Sequence, residues 1–145
     1  MELYANLTHE QREKLQQFPA FISLLAANAD GQLDDQEKQK AIDLAHIKDY
    51  DNKEPLLARY YQDVRENFAQ QLDRLDALLP RDKKQREEAI KYQLTEIETI
   101  LGVLGSAYAQ AMRRSMQSFK EYVSNAHDHV LEHFLFPLPI KGITQ

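Results

Sequence analysis

The chain has 145 residues, no cysteine and a net charge of −5 at pH 7. The absence of cysteine excludes disulfides, thiolate metal sites and thiol catalysis, and it fits a reducing cytoplasm, where we expect the protein to act. The acidic balance gives no general attraction to nucleic acid, so we expect no nucleic-acid partner. No apolar run approaches the length of a membrane span, and the polar N-terminus is unlike a secretory signal.

Helix-forming residues are plentiful, and glycine and proline are few. Apolar residues recur at spacings of three and four, which is typical of helices with one buried face. Short turns separate these segments, and this favours antiparallel packing. We therefore predict an all-α fold, with residues 1–145 forming a single compact bundle of about six or seven helices.

The N-terminal third contains signals for three helices. Thr8 and Gln11 match a capping box at the start of the first. Pro19 suits the first turn of the second, which should end near Gly31. The expected buried face of this second helix comprises Phe21, Leu24 and Leu25. The third should begin at Asp34, and its buried face should comprise Ala41, Ile42 and Ala45.

Two long helices are predicted next. Proline at position 80 should end a helix over residues 53–79, because proline cannot donate the next helical hydrogen bond. Its expected buried residues are Leu57, Tyr61, Val64, Phe68, Leu72, Leu75 and Leu79. Asp82 can cap the following helix, whose expected buried residues are Ile90, Leu94, Ile97, Leu101 and Leu104.

The C-terminal part should contain two further helices and a tail. Ser106 is the expected cap of one helix, whose buried face should comprise Tyr108, Met112, Ser115, Phe119 and Tyr122. A short helix is expected over residues 127–135. Pro137 and Pro139 predict an extended tail over residues 136–145.

The most informative stretch is an acidic turn between the second and third helices, Asn28 to Glu37. Aligned with a calcium-binding EF-hand loop, Asp30 would be position 5 and Glu37 the last ligand, but Ala26 stands where the loop needs aspartate. A structural alternative also exists, because Asp34 and Glu37 can simply cap the third helix.

At these residues the sequence resembles the TerB-like family, which includes the tellurite-resistance protein TerB. The resemblance rests on Ala29-Asp30-Gly31, an apolar residue, Asp34 and then Glu37, and it covers residues 21–45 well. It implies an all-helical domain without enzymatic activity whose acidic residues bind a divalent metal such as calcium, magnesium or zinc, and a link to metal or envelope stress. By position, Asp30, Asp34 and Glu37 would be ligands, with Asp35 secondary.

A histidine cluster near the C-terminus offers a second metal candidate. His129 and His133 would lie one turn apart on a helix, a spacing that can hold zinc. Surface histidines on a terminal helix are the simpler interpretation. If a metal binds there, the acidic turn could supply a further ligand, provided that the two segments meet.

Three hypotheses about function follow. The first is a TerB-like, metal-responsive domain without enzymatic activity. The second is a metal-free helical scaffold that binds another protein or a second copy of itself. The third is a metal-dependent enzyme that uses the histidines, although no catalytic motif is visible. The basic cluster Arg81, Lys83, Lys84 and Arg86 is expected to be a solvated helix start.

Overall fold

The computed structural model describes residues 4–30, 41–43, 45 and 55–126. The helices with defined bounds are α1 (His9–Gln16), α2 (Phe18–Asp30), α3 (Ala58–Leu78), α4 (Lys83–Leu101) and α5 (Ser106–Ala126), with a 3₁₀ turn over Pro55–Leu57 before α3. Residues 41–43 and 45 are also helical. The prediction of an all-α compact bundle is confirmed. The predicted start of a helix at Asp34, the short helix at 127–135 and the tail at 136–145 lie outside the described residues.

Two predicted helix starts are confirmed by their capping geometry. The Thr8 hydroxyl accepts a hydrogen bond from the Gln11 backbone N–H at 3.1 Å, and the Gln11 side chain accepts one from the Thr8 N–H at 2.9 Å. The Asp82 carboxylate accepts the Gln85 N–H at 3.0 Å. Each cap satisfies a backbone donor that has no partner inside the helix.

The predicted N-cap of α5, Ser106, is wrong by one residue, because the residue before it holds that position. Ser106 is the first residue of α5, and Gly105 precedes it with a φ of 91°. The carbonyl of Gly105 accepts the Ala109 N–H at 2.9 Å, which is the first hydrogen bond of this helix. A left-handed φ suits glycine because it has no Cβ to clash.

Helix α2 lies at the centre of the bundle, in contact with α1, α3, α4 and α5. Every residue from Phe18 to Ala27 is buried, so the helix has no solvent-facing side over this range. The sequence pattern predicted a single buried face instead. The ten-residue stretch from Phe18 to Ala27 contains no charged residue, and a helix that is apolar on all sides belongs in a core.

The predicted buried faces of α3 and α4 are confirmed. In α3 and the turn before it, Leu57, Tyr61, Val64, Phe68, Leu72 and Leu75 are buried, while Leu79 packs partly buried against the core. In α4 and just after it, Ile90, Leu94, Ile97, Leu101 and Leu104 are buried. Complete burial of one such side chain stabilises the fold by roughly 1.5–3 kcal/mol.

One residue of the predicted α5 face is wrong. Tyr122 is 36% exposed, whereas its neighbour Val123 is 4% exposed and belongs to the core. The step from Phe119 to the next buried position is therefore four residues, not three. Both spacings occur along one helical face, so periodicity alone did not distinguish them.

Proline sets the end of α3. Helix α3 ends at Leu78, and Leu79 has an extended ψ of 153°. Leu79 stands directly before Pro80, whose ring disfavours helical geometry in the preceding residue.

Among the helices that the structure describes, none has the length and apolarity to cross a bilayer.

Candidate functional site

The predicted metal ligands fall largely outside the described residues. Asp30 is the last described residue of α2, and its side chain is not described. Asp34, Asp35 and Glu37 of the acidic turn lie beyond the described ranges, as do His129 and His133. Within the described ranges, no three histidine, aspartate or glutamate side chains form a group that could hold a metal ion.

The EF-hand alternative fails at the start of its loop. That loop would begin at Ala26, but α2 continues through Asp30, and Ala26 and Ala27 are buried within it. The Asn28 amide, at loop position 3, donates to the backbone carbonyl of Lys83 at 3.0 Å. The first residues of the segment therefore pack in the core and form a hydrogen bond between helices. The ligands of a cation in this segment would be Asp30 and residues after it.

Both flanks of the acidic turn are held by the core. Ala27 on one side is 2% exposed, and on the other side Ala41 is 2% and Ala45 0% exposed. The burial predicted for Ala41 and Ala45 is confirmed, and Ile42 packs partly buried against the same core. Residues 31–40 thus connect two points that are fixed in the bundle.

A polar cluster around Asp63 joins the N-terminal residues to α3. Asp63 Oδ2 accepts a hydrogen bond from the Tyr4 hydroxyl at 3.2 Å and from Gln16 Nε2 at 3.3 Å. Arg59 Nε lies 3.5 Å and Arg12 Nη2 3.9 Å from the same oxygen. We call these five residues the Asp63 cluster. Its members come from three separate segments, so sequence spacing alone did not reveal it.

The Tyr4 side chain is partly buried and contacts several other members of the Asp63 cluster. The Arg12 guanidinium lies 4.4 Å from the centre of the Tyr4 ring, which is cation–π geometry. The Tyr4 hydroxyl also accepts a hydrogen bond from Gln16 Nε2 at 3.0 Å. Burial and the nearby negative charge of Asp63 raise the pKa of Tyr4 to about 12. The phenol is thus held neutral, as a donor to the carboxylate.

An ion pair joins α4 to α5. Arg113 Nη2 lies 3.1 Å from Glu98 Oε2, and each side chain is 19% exposed. Within the described part, Glu98 Oε1 and Arg113 Nε are buried without a hydrogen-bond partner. Burial raises the pKa of Glu98, and the adjacent guanidinium offsets part of that effect. A half-satisfied buried pair is weak evidence of stabilisation.

Two adjacent tyrosines place hydroxyl groups inside the bundle. The Tyr60 hydroxyl donates to the Leu15 carbonyl at 2.8 Å, and the Tyr61 hydroxyl is hydrogen-bonded to the buried Ser115 hydroxyl. In a continuous helix, residue 19 would donate to the Leu15 carbonyl, but residue 19 is proline and has no N–H. Tyr60 provides that carbonyl with a donor. These hydroxyls are structural ties between helices.

The prediction that the basic cluster is a solvated helix start is wrong for Arg86. Its side chain is only 10% exposed and forms an ion pair with Asp76. The guanidinium also donates to the backbone carbonyls of Asp76 at 3.3 Å and Pro80 at 3.2 Å. Carbonyls at the end of a helix have no partner within it, and Arg86 supplies donors for this corner. Arg81, Lys83 and Lys84 are exposed as expected.

Comparison with protein-family models, with curated proteins and with solved structures finds no match for this chain. The TerB-like resemblance therefore rests on its motif residues alone.

Proposed function

We propose that the protein is a TerB-like helical domain without enzymatic activity that binds a divalent cation through the acidic segment after α2. Calcium, magnesium and zinc are the candidate ions. The protein would act in the cytoplasm, in the response to metal stress or envelope stress. The proposed ligands are Asp30, Asp34 and Glu37, with Asp35 secondary, and with His129 and His133 as additions if the two segments meet.

The observation that supports this proposal is the anchoring of both flanks of the acidic segment. Buried Ala27 and the bond from Asn28 to the Lys83 carbonyl hold one flank, and buried Ala41 and Ala45 hold the other. A segment fixed at both ends has less conformational entropy to lose when it binds an ion, so its affinity is higher.

The end of α2 adds an electrostatic argument. The last carbonyls of a helix carry partial negative charge, which favours a cation beside them. Helix α2 is described as far as Asp30, next to the Gly31 that the sequence marks as its end. A cation held by Asp30 would therefore interact favourably with the helix as well as with carboxylate oxygens, the ligands that hard divalent ions prefer.

Calorimetric titration of each ion into chelator-treated protein tests the proposal. We expect heat of binding with at least one ion. At an ion concentration one hundred times Kd, stability should rise by about 2.7 kcal/mol. For a chain of this length that corresponds to an increase in Tm of about 9 °C.

Substitutions then locate the site. Asp30→Asn and Glu37→Gln should abolish binding, whereas Glu88→Gln, an exposed acid on α4, should leave it unchanged. His129→Ala should weaken binding only if the histidines share the site. No heat and an unchanged Tm with all three ions would refute the proposal.

A metal-free interaction module is the second candidate, and exposed apolar side chains favour it. Leu78 is 70% and Tyr92 61% exposed, although both are large and hydrophobic. Aromatic side chains such as that of Tyr92 are enriched at protein–protein contacts. The partner would be another protein or a second copy of this chain.

Sedimentation velocity of the chelator-treated protein tests self-association. Concentration-dependent dimers that Leu78→Ser or Tyr92→Ser weakens would support the second copy as the partner. A monomer at every concentration would exclude it.

A further inference from the structure

Helix α1 packs against the bundle through few buried side chains. It contacts α2, α3 and α4, yet Leu15 is the one buried residue within His9–Gln16. Tyr4 and Leu7, which precede the helix, pack partly buried against the core. A helix of eight residues is too short to be stable alone, so its order depends on these contacts.

The Asp63 cluster supplies most of the polar contacts that hold this segment. Tyr4, Arg12 and Gln16 all approach one carboxylate oxygen of Asp63, which belongs to α3. The bond from the Tyr60 hydroxyl to the Leu15 carbonyl adds a second attachment to α3. Losing contact with Asp63 would therefore release several attachments together.

A junction of one residue separates α1 from α2. Gln17 alone lies between the two helices. Pro19 in the first turn of α2 blocks the hydrogen bond that would merge them into one helix. Helix α2 is meanwhile enclosed by α3, α4 and α5 on its other sides, so it does not need α1 to remain packed.

We propose that residues 4–17 form a strap that opens and closes on the bundle while α2–α5 stay folded. The contacts with Asp63 hold the strap closed, and the chain bends at Gln17 when the strap opens. Opening uncovers the surface of α2, α3 and α4 around Leu15, including the Tyr60 hydroxyl. Parts of a structure with few buried contacts open at lower free energy than its core.

Amide hydrogen exchange followed by nuclear magnetic resonance on the full chain tests the strap. The amides of residues 12–15 in α1 should exchange at least about tenfold faster than the slowest amides of α4 and α5. Asp63→Asn should speed exchange in α1 by about tenfold, the factor expected for loss of a charged acceptor. Glu66→Gln, an exposed change on the same helix, should alter neither group of amides.

Met116→Ala separates local opening from global unfolding. Met116 is buried in α5, which stays folded when the strap opens. The substitution should speed the slowest amides by about a hundredfold and leave the α1 amides unchanged. If it speeds both groups by the same factor, α1 opens only when the whole protein unfolds and the strap is refuted. Met116→Leu gives the same comparison with a milder change if the alanine variant does not fold.

Discussion

The buried tyrosines predict that the protein loses stability in alkali. Burial raises the pKa of Tyr4 and of Tyr61 to about 12, and it raises that of Tyr60 well above the ordinary value of 10.0. A raised pKa in the folded state means that the neutral phenol is favoured there. The stabilisation is therefore complete below pH 10 and is lost as the pH rises through about 12.

Tyr61 is the clearest of the three because it is buried, at 2% exposed, and its pKa of about 12 arises mainly from that burial. The rise of the Tyr61 pKa from 10.0 to about 12 corresponds to about 2.7 kcal/mol of stability, of which about 2 kcal/mol is lost by pH 12. For a chain of this length that lowers Tm by about 7 °C. The hydrogen bond with the Ser115 hydroxyl lowers the pKa of Tyr61, but by less than burial raises it.

Urea unfolding at a series of pH values from neutral to alkaline, together with the ultraviolet absorbance of tyrosinate, measures this effect. Between neutral and alkaline pH, the free energy of unfolding of Tyr61→Phe should fall by about 2 kcal/mol less than that of the wild type. The lost bond to Ser115 lowers the stability of the variant by the same amount at every pH. Tyr92→Phe changes a side chain that is 61% exposed and should follow the wild type. Equal losses in the wild type and Tyr61→Phe would refute the reasoning.

Two further substitutions test the ties between helices. Tyr60→Phe leaves the Leu15 carbonyl without its hydroxyl donor. We therefore expect the free energy of unfolding in urea to fall by about 1–2 kcal/mol. A decrease below about 0.3 kcal/mol would show that another group replaces the donor. Arg86→Lys keeps the charge but not the planar donor set that serves both Asp76 and the backbone, and it should lower stability by about 2 kcal/mol. Lys84→Arg, a change at an exposed position of the same turn, is the control, and an equal effect of both changes on Tm would contradict the role given to Arg86.

Sequence reasoning predicted the local features well because they depend on neighbouring residues. The capping box at Thr8 and Gln11 and the cap at Asp82 need only residues three positions apart. The same holds for the buried faces of α3 and α4, whose spacing repeats along one helix. A proline after Leu79 was sufficient to mark the end of α3.

The candidate site was less predictable. The sequence identified an acidic segment and its motif but could not determine whether the carboxylates meet. The structure adds that the helix before this segment extends to Asp30 and that Ala26 and Ala27 are buried, which removes the EF-hand loop. The cation proposal itself stays a prediction for calorimetry to test.

The sequence by itself determined that this chain forms helices and where several of them begin and end, because capping and periodicity act over a few residues. Only the tertiary structure decided which helix occupies the centre and which polar side chains meet there. Asp63 gathers Tyr4 and Gln16 across 59 and 47 positions of the chain, and Arg86 reaches back to Asp76 at the α3–α4 corner. Such contacts depend on how all the helices pack at once, and no local pattern encodes that arrangement.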